Sequence, residues 1–368
     1  MSCPAHGSYV YVTNYGDGTV SQFRANPNGT LTPLSPPSVK AWPRCHSLVV
    51  SSSGRYLYVL SALEFSRRNC LVSQYRINAD GRLTPLMPLH VILPSGATPY
   101  LLFSEPTGRF LYVLERGGMI YCLHIGTTGA LKLADLPAQD VGLRGSFGYS
   151  VAFDQTHSVF YASGETRMTN MWLGWLTAFR AAKNGALHSM GPLFPKTHSD
   201  PSYYLLQIVT AHQGCWAYLL YDWTSSAPGP ALMQYTTHPE GGLATFALST
   251  IQLDYDPQEM VADPQGHFLY LLGSPKQNRD SPAAARKIIL AHYRIGRGGI
   301  LGQSSQQTFP APRGLFSPIF GPSGRYLYLL AENSVLPFRV HADGAVTDVG
   351  IKSTSAGHGP HRVTCVQR

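Results

Sequence analysis

The sequence predicts an all-β protein, a seven-bladed β-propeller with four antiparallel strands in each blade. Three observations carry that prediction. One hairpin recurs seven times along the chain. An aromatic-rich strand recurs ahead of it. The two ends of the chain hold complementary parts of one and the same unit.

The hairpin reads Phe23-Arg-Ala-Asn-Pro-Asn-Gly29-Thr-Leu, then Tyr75-Arg-Ile-Asn-Ala-Asp-Gly81-Arg-Leu. Its turn glycine returns at Gly129, Gly185, Gly241, Gly298 and Gly344, at intervals of 46 to 57 residues. Each copy is a strand end, a turn of Asn, Asp or Gly type, and a strand start. Glycine supplies the positive φ that such turns need. Seven units of this length account for all 368 residues, so a single domain, 1–368, is expected.

The second element reads Ser53-Gly-Arg-Tyr-Leu-Tyr-Val59, Thr107-Gly-Arg-Phe-Leu-Tyr-Val113, Gln265-Gly-His-Phe-Leu-Tyr-Leu271 and Ser323-Gly-Arg-Tyr-Leu-Tyr-Leu329. Degenerate copies are His157-Ser-Val-Phe-Tyr161 and Gly214-Cys-Trp-Ala-Tyr218. A four-stranded unit with this period is the signature of a propeller blade. Ser8-Tyr-Val-Tyr-Val-Thr13 matches a second strand with no first strand before it. His361-Arg-Val-Thr-Cys-Val366 matches a first strand with nothing after it. Joined, they complete blade 1 and close the ring by the C-terminal strand, which leaves only short protected edges.

Composition agrees. The chain is 44% hydrophobic and 11% aromatic, with 36 glycines and 28 prolines, and only 13% is charged. That mix excludes a coiled coil and a disordered chain. No apolar run approaches the roughly 20 residues of a membrane span. Met1 to Asn14 lacks the basic start and apolar stretch of a leader, so a cytoplasmic protein is expected. Six cysteines, at 3, 45, 70, 122, 215 and 365, show no CxxC spacing. They read as buried thiols rather than disulfides or a zinc site. The net charge of +8 comes from scattered basic residues. Without the dense block of a nucleic-acid footprint, the charge fits solubility or a mild preference for anionic ligands equally well.

The candidate site follows from the repeat. In a propeller the first strand of each blade lines the central channel, and loops on that rigid frame carry function. Eight residues before the glycines Gly54, Gly108, Gly266 and Gly324 stand His46, Tyr100, Gln258 and Phe316. The same register gives Tyr149 in blade 4 and His361 in the closing strand, with Tyr203 or Tyr204 in blade 5. Arg44, Arg313 and Arg362 lie close to this ring, and Ser202 sits beside Tyr203. Arginine forks suit carboxylate or phosphate, and histidines titrate near neutral pH. Arg55, Arg109 and Arg325 recur with the blade and read as structural. The loops after the second strands hold Asp17, Glu64, Glu115, Glu165, Asp222 and Glu332. Asp222 stands out, in Tyr218-Leu-Leu-Tyr-Asp-Trp223. Two insertions, Ser225 to Pro230 and Pro275 to Lys287, are surface loops, and the second could bring Lys276, Arg279 or Arg286 over the channel. No phosphate-cradling glycine loop, HExxH or GxSxG is present.

At these residues the chain resembles the lactonase-type seven-bladed propellers, the family of 6-phosphogluconolactonase and the fungal muconate-lactonizing enzyme. The resemblance rests on Tyr11-Val-Thr-Asn-Tyr-Gly-Asp-Gly-Thr-Val-Ser-Gln-Phe-Arg24, the Asn-Gly-Thr-Leu-Thr-Pro-Leu hairpin and the Ser-Gly-Arg-Tyr-Leu-Tyr strand. The entries Gly357-His-Gly-Pro-His-Arg-Val and Pro312-Arg313-Gly314 add to it. It covers essentially the whole chain. It implies a His entering blade 4, an Arg entering blade 5, a Glu in the following loop and an Arg in blade 6. Those places hold Tyr149, Ser202, Asp222 and a position near Ser274. Only the acid is retained by type.

Three readings follow. The first is lactone hydrolysis, or the reverse ring closure, in a remodelled pocket. Asp222 or His46 would act as base, and Tyr149 and Tyr203 would donate to the oxyanion. Arg44, Arg313 and Arg362 would hold a substrate carboxylate, with Tyr100, Ser202, Gln258, Phe316 and His361 lining the pocket. The second is a ligand- or protein-binding propeller without chemistry. The third is a diverged cyclase or isomerase of a less polar metabolite. All three expect no metal, no cofactor, no nucleic acid and no membrane partner, in a monomer or homodimer.

Overall fold

The structure is a computed structural model of the 368-residue chain. It describes residues 7–62, 70–94, 99–116, 118–140, 146–168, 171–193, 203–211, 215–223, 229–238, 240–244, 249–276, 287–302, 305–310, 316–331, 333–349, 354–357 and 360–368.

Seven antiparallel sheets form the blades of a β-propeller. Blade 1 joins β1 (Ser8–Asn14), β2 (Thr19–Ala25) and β3 (Leu31–Lys40) to the last strand, β31 (Pro360–Gln367), which pairs with β1. Blade 2 is β4 (Cys45–Val50), β5 (Tyr56–Ala62), β6 (Cys70–Ile77) and β7 (Leu83–Ile92). Blade 3 is β8 (Pro99–Ser104), β9 (Phe110–Glu115) and β10 (Met119–Ile125), with an outer strand in two pieces, β11 (Leu131–Leu133) and β12 (Gln139–Asp140). Blade 4 is β13 (Ser146–Asp154), β14 (Val159–Met168), β15 (Met171–Ala181) and β16 (Leu187–Pro192). Blade 5 is β17 (Tyr203–Ala211), β18 (Trp216–Trp223), β19 (Ala231–Thr236) and β20 (Ser249–Gln252). Blade 6 is β21 (Tyr255–Ala262), β22 (Phe268–Pro275) and β23 (Lys287–Ile295), with outer pieces β24 (Leu301–Gly302) and β25 (Gln306–Pro310). Blade 7 is β26 (Phe316–Phe320), β27 (Tyr326–Ala331) and β28 (Ser334–Val340), with outer pieces β29 (Val346–Asp348) and β30 (Thr354–Ser355).

Two compact units contain these blades. The first holds Met1–Val113, Tyr121–Asp135 and Pro312–Arg368. The second holds Leu114–Ile120 and Leu136–Ala311. In the first unit the leading strands β26, β31, β4 and β8 pack side by side in that order. In the second, β13, β17 and β21 do the same.

The repeated residues encode the joints between blades. Tyr9 of blade 1 lies on the hairpin glycine of blade 2. A Cβ at Gly81 would fall 2.1 Å from that ring, and Gly81 also has φ +80, so no other residue fits. Two residues on, the buried Tyr11 hydroxyl donates to the Gly81 carbonyl at 2.6 Å. The next joint repeats this with Tyr56 over Gly129 and a 2.8 Å bond from the Tyr58 hydroxyl to its carbonyl. Blade 5 repeats it on blade 6, with Trp216 over Gly299 and Tyr218 donating at 2.9 Å. Gly299 rather than Gly298 is therefore the hairpin glycine of blade 6, because it is the residue under the ring.

A buried glutamine makes a second tie. The Gln22 amide nitrogen donates to the Pro36 carbonyl at 2.6 Å, and its oxygen accepts the Leu83 N–H at 2.9 Å. Gln74 bridges the Pro88 carbonyl and the Leu131 N–H in the same way, and Gln234 accepts from Leu301 N. Gln22 and Gln74 sit at an irregular point in the pairing with their own outer strand, and each glutamine holds the next blade's hairpin.

In several blades the residue at the end of the first strand caps the turn that follows. Ser51, Glu105 and Asp263 accept backbone N–H groups of their turns. The five described cysteines form no disulfide. Burial pushes the Cys45 and Cys122 thiols up to about 12, so both stay protonated and inert.

Candidate functional site in the leading strands

Each leading strand with a recorded register carries one extra residue. Cys45 faces Ser61 and Ser47 faces Leu60, so His46 has no opposite number on β5. The same skip falls on His361, Tyr149, Leu206, Gln258 and Ser317. A bulge of this kind bends the strand and re-aims one side chain, and it is enriched next to sites of function. The counted register places His46, Tyr149, Gln258 and His361 at these bulges. In blade 5 the bulge falls on Leu206, while Tyr203 pairs with Trp223, three residues earlier. In blade 7 it falls on Ser317, while Phe316 pairs with Leu330. Asp222 lies on β18 opposite Tyr204. Ser202, Arg313, Glu64, Glu332, Arg279, Arg286 and Cys3 lie outside the described residues. Gln258 is exposed, and Tyr100 is half-buried on β8.

The first unit brings several expected residues together on neighbouring strands. Arg44, at the entry to β4, has φ 60, a left-handed conformation that costs a non-glycine residue about 1–3 kcal/mol. Its N–H donates to the Tyr15 carbonyl at 3.2 Å, and its own carbonyl accepts the Ala62 N–H at 3.4 Å. That carbonyl also lies 3.0 Å from His46 Nδ1. A carbonyl only accepts, so Nδ1 carries the proton, and in the neutral ring the lone pair sits on Nε2. The bulge thus fixes both the tautomer and the orientation of His46. Nε2 of His46 and Nη1 of Arg44 are both buried atoms.

Arg362 follows the bulge of β31. Its N–H donates to Thr13 Oγ1 at 3.1 Å, and the Thr13 hydroxyl donates to its carbonyl at 3.4 Å. Its Nη1 donates to Ser317 Oγ at 3.2 Å. Ser317 is buried and has φ 59. The entry to β31 is equally fixed. Gly357 N–H donates to Asn14 Oδ1 at 3.1 Å, and a Cβ at Gly357 would lie 2.5 Å from Asn14 Nδ2 and from Asp17 Oδ2. Only glycine lets the chain pass under these side chains. Ser47 Oγ accepts the Leu102 N–H at 3.1 Å and ties β4 to β8.

Sequence reasoning passed over Ser317, because a bulge one residue off the counted register leaves no mark in the text. It also passed over the pair in blade 4, where Asp154 is fully buried and contacts His157 Nδ1 at 2.7 Å. There His157 replaces the turn glycine, the positive φ moves to Ser158, and Asp154 accepts the His157 N–H at 3.0 Å. This pair is a rebuilt turn cap. Among the described residues no cluster of three or more His, Cys, Asp or Glu could hold a metal, and no helix is long and apolar enough to cross a membrane.

A protein of known structure from Bacteroides uniformis, a proposed 6-phosphogluconolactonase, superposes with a TM-score of 0.73 at 17% identity, over 99% of this chain and 100% of its own. A second proposed 6-phosphogluconolactonase, from Bacteroides fragilis, gives 0.69 at 20% identity over 100% and 99%. The chain shares with both the fold of a seven-bladed β-propeller. A protein of unknown function from Desulfotomaculum acetoxidans shares it, with a TM-score of 0.65 at 11% identity over 97% and 98%. No protein-family model matches the sequence, and no curated protein matches it either. At these identities the propeller is a shared frame, and function has to be argued from the residues mounted on it.

Proposed function

We propose that this lactonase-type propeller is a small-molecule enzyme that opens a lactone ring with water, or closes it in reverse. The observation that carries the reading is His46. A histidine held at a bulge, with Nδ1–H donating to a main-chain carbonyl and Nε2 left as the basic nitrogen, has the arrangement of a general base. In this scheme Nε2 takes a proton from water as the water oxygen bonds to the lactone carbonyl carbon. The tetrahedral oxyanion collapses, the ring C–O bond breaks, and the imidazolium returns the proton to the leaving alkoxide. Arg44 and Arg362 are assigned to a carboxylate or phosphate of the substrate. Asp222 is the competing base. The protein would work as one domain in the cytoplasm, with a small molecule as its partner.

A pH-indicator assay on a panel of sugar lactones, phosphorylated and not, and muconolactone-type compounds tests this. His46→Gln should lower kcat by about 10²–10⁴-fold. Full activity in His46→Gln with a collapse in Asp222→Asn would move the base to Asp222. Tight binding of a lactone without turnover would replace the enzyme with a ligand-binding propeller.

A further inference from the structure

We infer that Ser317 is a positioning residue that aims Arg362 at an anionic group of the ligand. This rests on the reading above that the leading strands form a lactone site.

Three observations converge. Ser317 has φ 59, where glycine would sit without strain and serine does not. What serine adds over glycine is a side chain, and that side chain is buried with its Oγ accepting from Arg362 Nη1 at 3.2 Å. Arg362 is also held from the opposite side, by the two bonds its main chain makes with Thr13. The arginine is therefore pinned at both ends, by β1 through its backbone and by β26 through its guanidinium. A guanidinium is a planar fork of five N–H donors, so fixing one nitrogen fixes the plane in which the others act. That is the preparation needed for two-point recognition of a carboxylate or phosphate. Arg44, at the entry to the neighbouring strand β4 and also in a left-handed conformation, supplies a second cation beside the same run of strands.

The bland alternative is that the bond only satisfies a buried hydroxyl. Ser317→Gly separates the two, because it removes the hydroxyl and relieves the backbone at once. We expect Ser317→Gly to melt at or above the wild-type temperature. Its KM for 6-phosphogluconolactone should rise about tenfold, with kcat unchanged and the KM for neutral glucono-δ-lactone within about twofold. Arg362→Gln should lose the preference altogether. A melting point well below wild type with both KM values unchanged would make the role structural and overturn the inference. So would an equal rise for both lactones. A collapse of kcat at unchanged KM would make Ser317 a catalytic residue instead.

A thermal-shift titration with inorganic phosphate alone keeps the inference separate from the lactonase reading. Wild type should be stabilised by phosphate, and Ser317→Gly should need about tenfold more for the same shift. If that holds and no lactone is turned over, the lactonase reading fails and the anion site stands. If lactones are turned over while wild type and Ser317→Gly respond to phosphate alike, or neither responds, the inference fails and the lactonase reading stands.

Discussion

The joint between blades 2 and 3 and the joint between blades 4 and 5 follow one plan with different parts. At the first, the Tyr56 ring covers Gly129 and the Tyr58 hydroxyl bonds its carbonyl. At the second, Val159 stands where the ring would be, and the Met190 side chain covers Gly241 in its place. Tyr161 is as buried as Tyr58, yet its hydroxyl has no hydrogen-bond partner among the described residues. Ser163 Oγ and Trp175 Nε1 of the same blade are also buried with no partner among the described residues. The aromatic ring does two things at a joint: it fills space, and it sets the distance at which the next hydroxyl can reach the glycine carbonyl. Methionine replaces the first function and not the second, because it is flexible and its filling does not fix a separation.

Mutations can sharpen this contrast. Gly129→Ala forces an L-residue to φ +82 and drives a Cβ to 2.2 Å from the Tyr56 ring. Chemical denaturation should show a loss of about 2–5 kcal/mol. Gly241→Ala at φ +81 meets the end of a mobile Met190, 2.4 Å away, and should lose only about 1–2 kcal/mol. Equal losses at the two sites would break the comparison. Gln74→Leu leaves the Leu131 N–H and the Pro88 carbonyl without their buried partner and should cost about 2–4 kcal/mol. Tyr58→Phe removes a satisfied bond, for a loss of about 1 kcal/mol. Tyr161→Phe removes a buried hydroxyl that bonds nothing, so it should leave stability unchanged or raise it slightly.

The mildest probe is alkali. Burial raises the tyrosine hydroxyls of the blades, among them Tyr11, Tyr58, Tyr218 and Tyr328, above their ordinary value of 10.0, and the Cys45 and Cys122 thiols from 9.0 to about 12. Below the unfolded values both states hold these protons and stability does not change. Above them the unfolded chain ionises while the folded one does not, so stability falls as pH rises. A melting temperature steady through neutral pH, declining from pH 9 and more steeply beyond pH 10, is expected. A flat profile to pH 11 would mean that these groups are not held in their buried, protonated form.

Much of this was legible in the text because a propeller repeats its joints. The recurring glycine, the Tyr-Leu-Tyr strand and the split blade at the two termini fix the strand order, since each carries a geometric demand that no other residue meets. Counting from the turn glycine also reached the bulges at His46, Tyr149, Gln258 and His361. It missed by two or three residues in blade 5 and by one in blade 7, where Leu206 and Ser317 take the place. A bulge is settled by how two strands pair, and pairing partners lie far apart in sequence.

The sequence by itself determined the number of blades, their closure and the residues at their joints, because those are local patterns repeated along the chain. Tertiary structure decided the rest: which tautomer His46 holds, that Arg44 and Ser317 sit in left-handed backbone, and that Ser317 grips Arg362 across 45 residues of sequence. These depend on a carbonyl, a hydroxyl and a guanidinium brought within 3 Å or so by the pairing of strands, a distance that no residue-by-residue pattern records.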